Sequence, residues 1–332
     1  MKRILSLVLL LAMVCMLFAC NKPEETPDNG GNQTPTATAY KLGIGVVVEN
    51  TVATNSNTEA TVAAVIVDAQ GKIVACRLDA IQMKNLFTIT KDDNDAIVSV
   101  SVDETKTFST KVELGDAYNM VTYGGASAEW YVQAKTFEEY VVGKTAADVA
   151  GIVTDAEGKT AQIAGCTIIV TGFQEAIAKA CADQYAVAFQ STTAPTLGVS
   201  VVAALADSSK ENDDGTVTVK AEATMDFAAV AMVDGKVVAA TLDCAAPTFT
   251  YADEANTVKF DGTKRQLGDN YNMVTYGGAI AEWYAQAQAF ANSANGKTAA
   301  EVAELSIEGV AGCTIYAGSF KTALVKAVNA AR

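Results

Sequence analysis

Asn119-Met-Val-Thr-Tyr-Gly-Gly-Ala126 recurs letter for letter from Asn272 to Ala279, and this repetition constrains the fold more than any other feature. Ala128-Glu-Trp-Tyr131 returns as Ala281 to Tyr284, Gly143-Lys-Thr-Ala-Ala147 as Gly296 to Ala300, and Ala164-Gly-Cys-Thr-Ile168 as Ala311 to Ile315. Upstream the match loosens: Val67 to Val74 answers Val233 to Val238 across a loop two residues shorter, and Leu42-Gly43 answers Leu197-Gly198. The matches keep their order at a spacing of roughly 150 residues, the size of a domain and too long for a solenoid repeat. The division is therefore a first repeat over 40–190 and a second over 191–332, with FQSTTAPT (Phe189 to Thr196) interrupting the pattern.

Within each copy the hydrophobic period changes class. Thr61 to Val67 and Ile73 to Leu78 read as strands joined by the turn Asp68 to Lys72, followed by alternating stretches at Leu86 to Thr90 and Ile97 to Val102. Trp130, Ala134, Phe137 and Val141 then fall on one helical face, ended by Gly143. Thr145-x-x-Asp148 and Thr298-x-x-Glu301 have the form of capping boxes opening a short second helix. A last apolar stripe runs through Phe173, Ala176, Ile177, Ala180 and Cys181, answered by Phe320, Ala323, Leu324, Ala327 and Val328. Strands followed by helices predict an α+β fold of two tandem repeats, each an antiparallel sheet packed with helices on one face.

Composition removes several functions. The chain has no histidine, which excludes Ser-His-Asp and Cys-His catalysis and His-ligated zinc. A net charge of −14 argues against nucleic acid as a partner, because neutralising phosphates requires Lys and Arg. Lys2 and Arg3 precede an uncharged run from Ile4 to Ala19, too short for a spanning helix, which reads as a signal peptide over 1–19. Its end, Leu17-Phe18-Ala19-Cys20, resembles the lipobox of bacterial lipoproteins, a resemblance that implies cleavage before Cys20 and lipidation of its sulfur. The Pro-, Gly- and Thr-rich stretch that follows, through Ala39, reads as a tether over 20–39, standing the protein off a cell membrane on its extracytoplasmic side. Loss of the signal leaves 22 bases against 38 acids, a net charge of −16. Cys76, Cys166, Cys181, Cys244 and Cys313 remain in the body, an odd number without metal-ligand spacing, and read mostly as small buried hydrophobes.

The hairpin turn Asp68 to Ile73, the Tyr-Gly-Gly stretch leading to a helix, the Gly-Lys-Thr step and the Gly-Cys-Thr element, in that order, resemble the FMN-binding domain of bacterial exported flavoproteins. The resemblance spans most of each repeat, from about Tyr40 to the C-terminus. In that family the last Thr of a Ser-Gly-Ala-Thr motif carries FMN through a phosphoester installed by a separate flavin transferase. Carried over by position, Thr167 and Thr314 are the implied attachment points. This chain departs from the motif: Ala164 and Ala311 replace its Ser, and Cys166 and Cys313 replace its Ala. An upstream Asp of the family aligns with Ala161 in the first copy and with Glu308 in the second, so the second copy is the closer match.

The residues themselves allow a phosphate there. Gly165 and Gly312 let a ligand approach the backbone, and helices expected to begin near Thr171 and Gly318 would direct free N–H groups towards an anion. The other reading of Thr167 to Val170 is an ordinary buried strand behind a tight turn. Tyr123, Gly124 and Gly125, with Tyr276, Gly277 and Gly278, are candidate ligand-facing loops. Trp130, Tyr131, Trp283 and Tyr284 suit either an isoalloxazine ring or the core. Asp116, Glu129, Asp269 and Glu282 also recur, and read as caps or surface carboxylates. The expectation is a lipid-anchored flavoprotein carrying covalent FMN and relaying electrons from a membrane redox donor. The alternative is a cofactor-free binding or surface-interaction lipoprotein of the same fold.

Overall fold

The computed structural model describes residues 36–252, 255–306 and 308–332. The signal peptide, Cys20 and most of the tether lie outside these residues. Thr38 and Ala39, the end of the expected tether, already pair with Ser191 and Gln190, so the folded body begins slightly earlier than the composition suggests.

The first half contains β1 (Thr38–Thr51), β2 (Asn57–Asp68), β3 (Ile73–Met83), β4 (Thr88–Lys91), β5 (Ile97–Ser101), α1 (Lys111–Leu114), α2 (Trp130–Val141), α3 (Ala146–Ala150), α4 (Thr171–Cys181) and β6 (Val187–Ser191). The second contains β7 (Thr196–Asp207), β8 (Lys210–Glu211), β9 (Val217–Thr218), β10 (Lys220–Val233), β11 (Lys236–Ala245), β12 (Thr248–Thr250), β13 (Thr257–Lys259), α5 (Lys264–Leu267), α6 (Met273–Gly277), α7 (Trp283–Asn292), α8 (Ala299–Ala303) and α9 (Gly318–Ala330). Antiparallel pairing gives one sheet in the order β3-β2-β1-β6. In the other, β10 lies between β7 and β11, and its first residues also pair with β12.

The elements form where the periodicity places them. Asp68 Oδ1 accepts N–H bonds from Gln70 and Lys72, and Gly71 takes φ +74°, which closes the β2–β3 hairpin. Trp130, Ala134, Phe137 and Val141 are all buried along α2. Thr145–Asp148 and Thr298–Glu301 form reciprocal capping boxes at the starts of α3 and α8.

The sheets are covered on both faces, which differs from the single covered face expected. Side chains alternate along β1 and β2: Leu42, Ile44, Val46, Ala64 and Ile66 point to one side, and Val47, Ala63, Val65 and Val67 to the other. The first set meets Leu197, Val199, Val201, Phe227 and Ala229 of the second sheet in a core shared by both halves. The second set packs under α2 and α4, and the second sheet has its own helical cover of α7 and α9. The order is therefore helices, sheet, sheet, helices, and Thr36–Arg332 is one compact unit. A sheet buried on both faces carries near-continuous apolar runs such as Val62 to Val67, rather than clean alternation.

Two buried acids, one per half, anchor the short helices. Asp79 Oδ1 accepts N–H bonds from Ala80 at 2.8 Å and Val112 at 3.1 Å; Asp243 Oδ1 accepts them from Cys244 at 2.7 Å and Arg265 at 3.1 Å. Burial pushes Asp79 up to about 7 and Asp243 to about 6, against hydrogen bonds from Thr110 and Thr263 that pull them down. A raised carboxyl pKa means that the folded state keeps a proton the unfolded chain has released, so this stability is present at low pH and is lost as pH rises through the folded value. The chain should therefore melt higher at about pH 5 than at about pH 8. The Asp79→Asn/Asp243→Asn double variant should lose much of that difference in a thermal melt. An undiminished difference in the variant would contradict this assignment.

Candidate functional site

The repeated Tyr-Gly-Gly loops sit at the N-terminal ends of α2 and α7, and recurring carboxylates hold them there. Glu129, buried, precedes α2 and accepts N–H bonds from Met120 at 2.9 Å and Val121 at 3.0 Å. Glu282 does the same for Met273 at 2.9 Å and Val274 at 3.0 Å. The Tyr131 hydroxyl donates to Asp116 at 3.2 Å, and that of Tyr284 to Asp269 at 3.1 Å. All four acids thus tie backbone or side chain in the same way in both copies.

Asn119 and Asn272, at φ +61° and +60°, turn the chain into each loop. Gly125 and Gly278 leave it in the same left-handed region, at +64° and +62°. A Cβ on Gly124 would lie 2.6 Å from the Met120 carbonyl oxygen, so the fold itself requires that glycine; Gly277 has no such neighbour. Tyr123 and Tyr276 project into solvent, 85% and 86% exposed. Trp130 and Trp283 belong to the core, each edge-on to the first Phe of the last helix, Phe173 or Phe320, at 5.6 Å.

A fully buried glutamine joins each loop to the Gly-Cys-Thr element. Gln133 Nε2 donates to the Ala128 carbonyl at 2.8 Å, while its Oε1 accepts the Thr167 N–H at 2.7 Å and the Thr167 hydroxyl at 3.0 Å. Gln286 repeats this with Ala281 at 2.8 Å and with Thr314 at 2.8 Å and 2.9 Å. Both threonines are exposed. Gly165 and Gly312 have φ +84° and +80°, and the nearest atom to a Cβ built there is 3.9 Å and 3.5 Å away. The backbone conformation, rather than crowding, accounts for these two glycines.

Thr167 to Val170 is not a strand: it makes one isolated bridge, between Ile169 and Lys159, and buries Ile168 and Val170. α4 begins at Thr171 and α9 at Gly318, neither with a side-chain cap. The position fits a phosphoester. The residue is exposed and the space beside the glycine is open; on esterification the Thr oxygen loses its proton and turns away from the Gln Oε1, which keeps the Thr N–H.

Beside this element in the first half lies a cleft of about 450 Å³, whose lining includes Ile168, Tyr118 and Trp130. Cys76, Cys166 and Cys244 are buried, Cys181 and Cys313 half-buried, and all five are free thiols. Among the described residues no group of three or more acids and cysteines could hold a metal ion, and no helix is long and apolar enough to cross a membrane.

The sequence reading missed Gln133 and Gln286. Their signal was present, since both copies place Gln five residues after the Ala that opens the Ala-Glu-Trp-Tyr segment.

Among known proteins, no family model matches this chain, and no solved structure matches it. A chlorophenol reductase of Desulfitobacterium hafniense is 32% identical over 124 residues, which are 35% of this chain and 38% of that protein. The chain is therefore similar, over a minority of each partner's length, to a protein named for a redox reaction.

Proposed function

We propose that this chain is a lipid-anchored extracytoplasmic redox protein, carrying FMN esterified to Thr167 and Thr314 and relaying electrons from a membrane donor. The observation that carries the reading is the duplicated arrangement of an exposed Thr hydroxyl, an open left-handed glycine two residues before it, and a buried Gln holding the Thr backbone. The similarity to a reductase supports a redox role, and the lipobox-like Cys20 supports the anchor. Attachment needs an activated donor, such as a flavin dinucleotide presented by a flavin transferase. The Thr oxygen bonds to the phosphorus on the flavin side, the anhydride P–O bond breaks, the mononucleotide leaves with the electron pair, and the hydroxyl proton passes to solvent. FMN would supply the electron transfer that no side chain here provides. The chain's own residues position the ester and keep the Tyr-Gly-Gly loop beside it.

Co-expression with a flavin transferase should give mature protein that fluoresces as a flavoprotein in a denaturing gel. Thr167→Ala and Thr314→Ala should each remove about half of the signal, and the double variant all of it. A dark wild-type band would favour the cofactor-free binding protein. One observation supports that second reading: the apolar stripes of α2, α4, α7 and α9 are buried by the chain's own side chains.

A further inference from the structure

We infer that the first half has a binding cleft for the flavin's planar ring and that the second half has closed its counterpart, so that one chain binds one ring in a cleft and not two. This rests on the reading of the chain as a flavoprotein. The cleft's volume, about 450 Å³, is in the range of small-molecule sites. Tyr118 and Trp130 line it, and the Lys111 ammonium stands 5.4 Å and 5.5 Å from their ring centroids.

A chain of polar side chains runs along one wall. The Tyr118 hydroxyl donates to Gln82 Oε1 at 3.4 Å, Gln82 Nε2 donates to Glu59 Oε2 at 2.6 Å, and Lys111 Nζ donates to Glu59 Oε1 at 2.6 Å. Gln82, Glu59 and Lys111 therefore present donor, acceptor and donor in series. The imide edge of an isoalloxazine presents the complement: a carbonyl, an N–H and a carbonyl. The three already bond to one another, and each keeps spare capacity for a ligand with this edge: the second Gln82 N–H, the remaining Glu59 lone pairs and the other Lys111 ammonium protons.

The second half keeps Lys264, Tyr271 and Trp283, with the ammonium at 5.4 Å and 5.6 Å from the two ring centroids. It has lost the polar wall. By strand register, Thr224 stands where the first half has Glu59, and Ala246 follows Ala245 where Gln82 follows Ile81. The floor is also filled. Asp226 takes the place of Thr61, and Ser319 stands at the place of Gly172. Asp226, 4% exposed, is no larger than Thr61 but puts a carboxyl there, while the Ser319 side chain takes space that Gly172 leaves open. Tyr316, where the first half has Ile169, brings its hydroxyl to 2.5 Å from a Cβ built on Gly318 and so covers the start of α9. The turn bearing Lys159, which lines the first cleft, lies in a segment with no counterpart of equal length in the second half.

The test is a fluorescence titration of the full mature chain, purified from cells without a flavin transferase, with riboflavin. Riboflavin has the ring but no phosphate, so it cannot be esterified. One riboflavin should bind per chain, with its emission quenched by the adjacent aromatic rings. Thr61→Asp/Gly172→Ser, which imports the second half's floor, should abolish binding. Gln82→Ala, at the partly exposed wall, should weaken it about tenfold, as expected for one lost hydrogen bond, with the melting temperature unchanged. No binding to the wild type, two riboflavins per chain, or binding indifferent to both variants would overturn the inference. A covalent FMN adduct found by mass in a chain that ignores riboflavin would sink the cleft and leave the ester standing. Riboflavin binding without any adduct would do the reverse.

Discussion

Gly43→Ala is expected to destabilise the chain by about 4 kcal/mol or more, the range reserved for overpacking that a core cannot relieve. α4 crosses β1 so closely that a Cβ on Gly43 would stand 2.0 Å from the Ala180 carbonyl oxygen, and one on Gly45 2.1 Å from that of Ala176. Both obstacles are helix backbone, which no rotamer change can move. The second half repeats the contact at Gly198, where the Ala327 oxygen would be 1.9 Å away. At the register position of Gly45 it has Ser200, whose hydroxyl donates to the Ala323 carbonyl at 2.7 Å. A side chain is thus accommodated there when it can bond to the helix instead of striking it. Gly45→Ser should accordingly be milder than Gly45→Val. Urea unfolding measures all three variants, and a Gly43→Ala protein as stable as the wild type would refute the close packing of α4.

Arg265→Ala should cost about 3–5 kcal/mol, the usual result of leaving half of a buried ion pair. Arg265 and Asp183 come from opposite halves, are 4% and 5% exposed, and meet at 2.9 Å. The guanidinium also donates to the Tyr185 carbonyl at 2.7 Å and lies 5.3 Å from the Tyr185 ring. Tyr185 in turn stacks on Tyr284 at 4.2 Å. Removing the cation strands the Asp183 carboxylate in the interface. Neutralising both partners, as in Asp183→Asn/Arg265→Met, should recover part of the loss, because no charge is left buried and the single Asn oxygen can keep the Tyr185 N–H that now bonds to Asp183 Oδ1, though not also the Ile44 N–H that bonds to Oδ2. Chemical denaturation of the single and double variants forms the cycle. Additive losses would show that the two charges do not interact.

What the sequence displays well is local. The stripe from Trp130 to Val141, the two capping boxes and the Asp68 turn each depend on neighbours within a few positions, and the structure places each as expected. The covering of each sheet by the other was written only weakly, in apolar runs too continuous for a one-faced sheet. Asp79 and Asp243 were invisible because their partners are the backbone of helices about 20 to 30 residues downstream. At the candidate site, Thr167 and Thr314 came from motif position, whereas Gln133 and Gln286 emerge only when the loop and the Thr element meet in space. The asymmetry of the two halves was hidden for a similar reason. The most similar segments are the helices and loops, while the residues that make or lose the polar wall, such as Glu59 and Thr224, lie on the poorly matched strands.

Peptide-level mass spectrometry of the mature chain, produced with a flavin transferase, reads out directly whether Thr167 and Thr314 carry FMN. The proteolytic peptides containing Thr167 and Thr314 should each carry the mass of FMN less one water, with fragmentation placing it on the threonine. Both peptides recovered unmodified, from a strain in which a known flavoprotein is modified by the same transferase, would contradict that attachment.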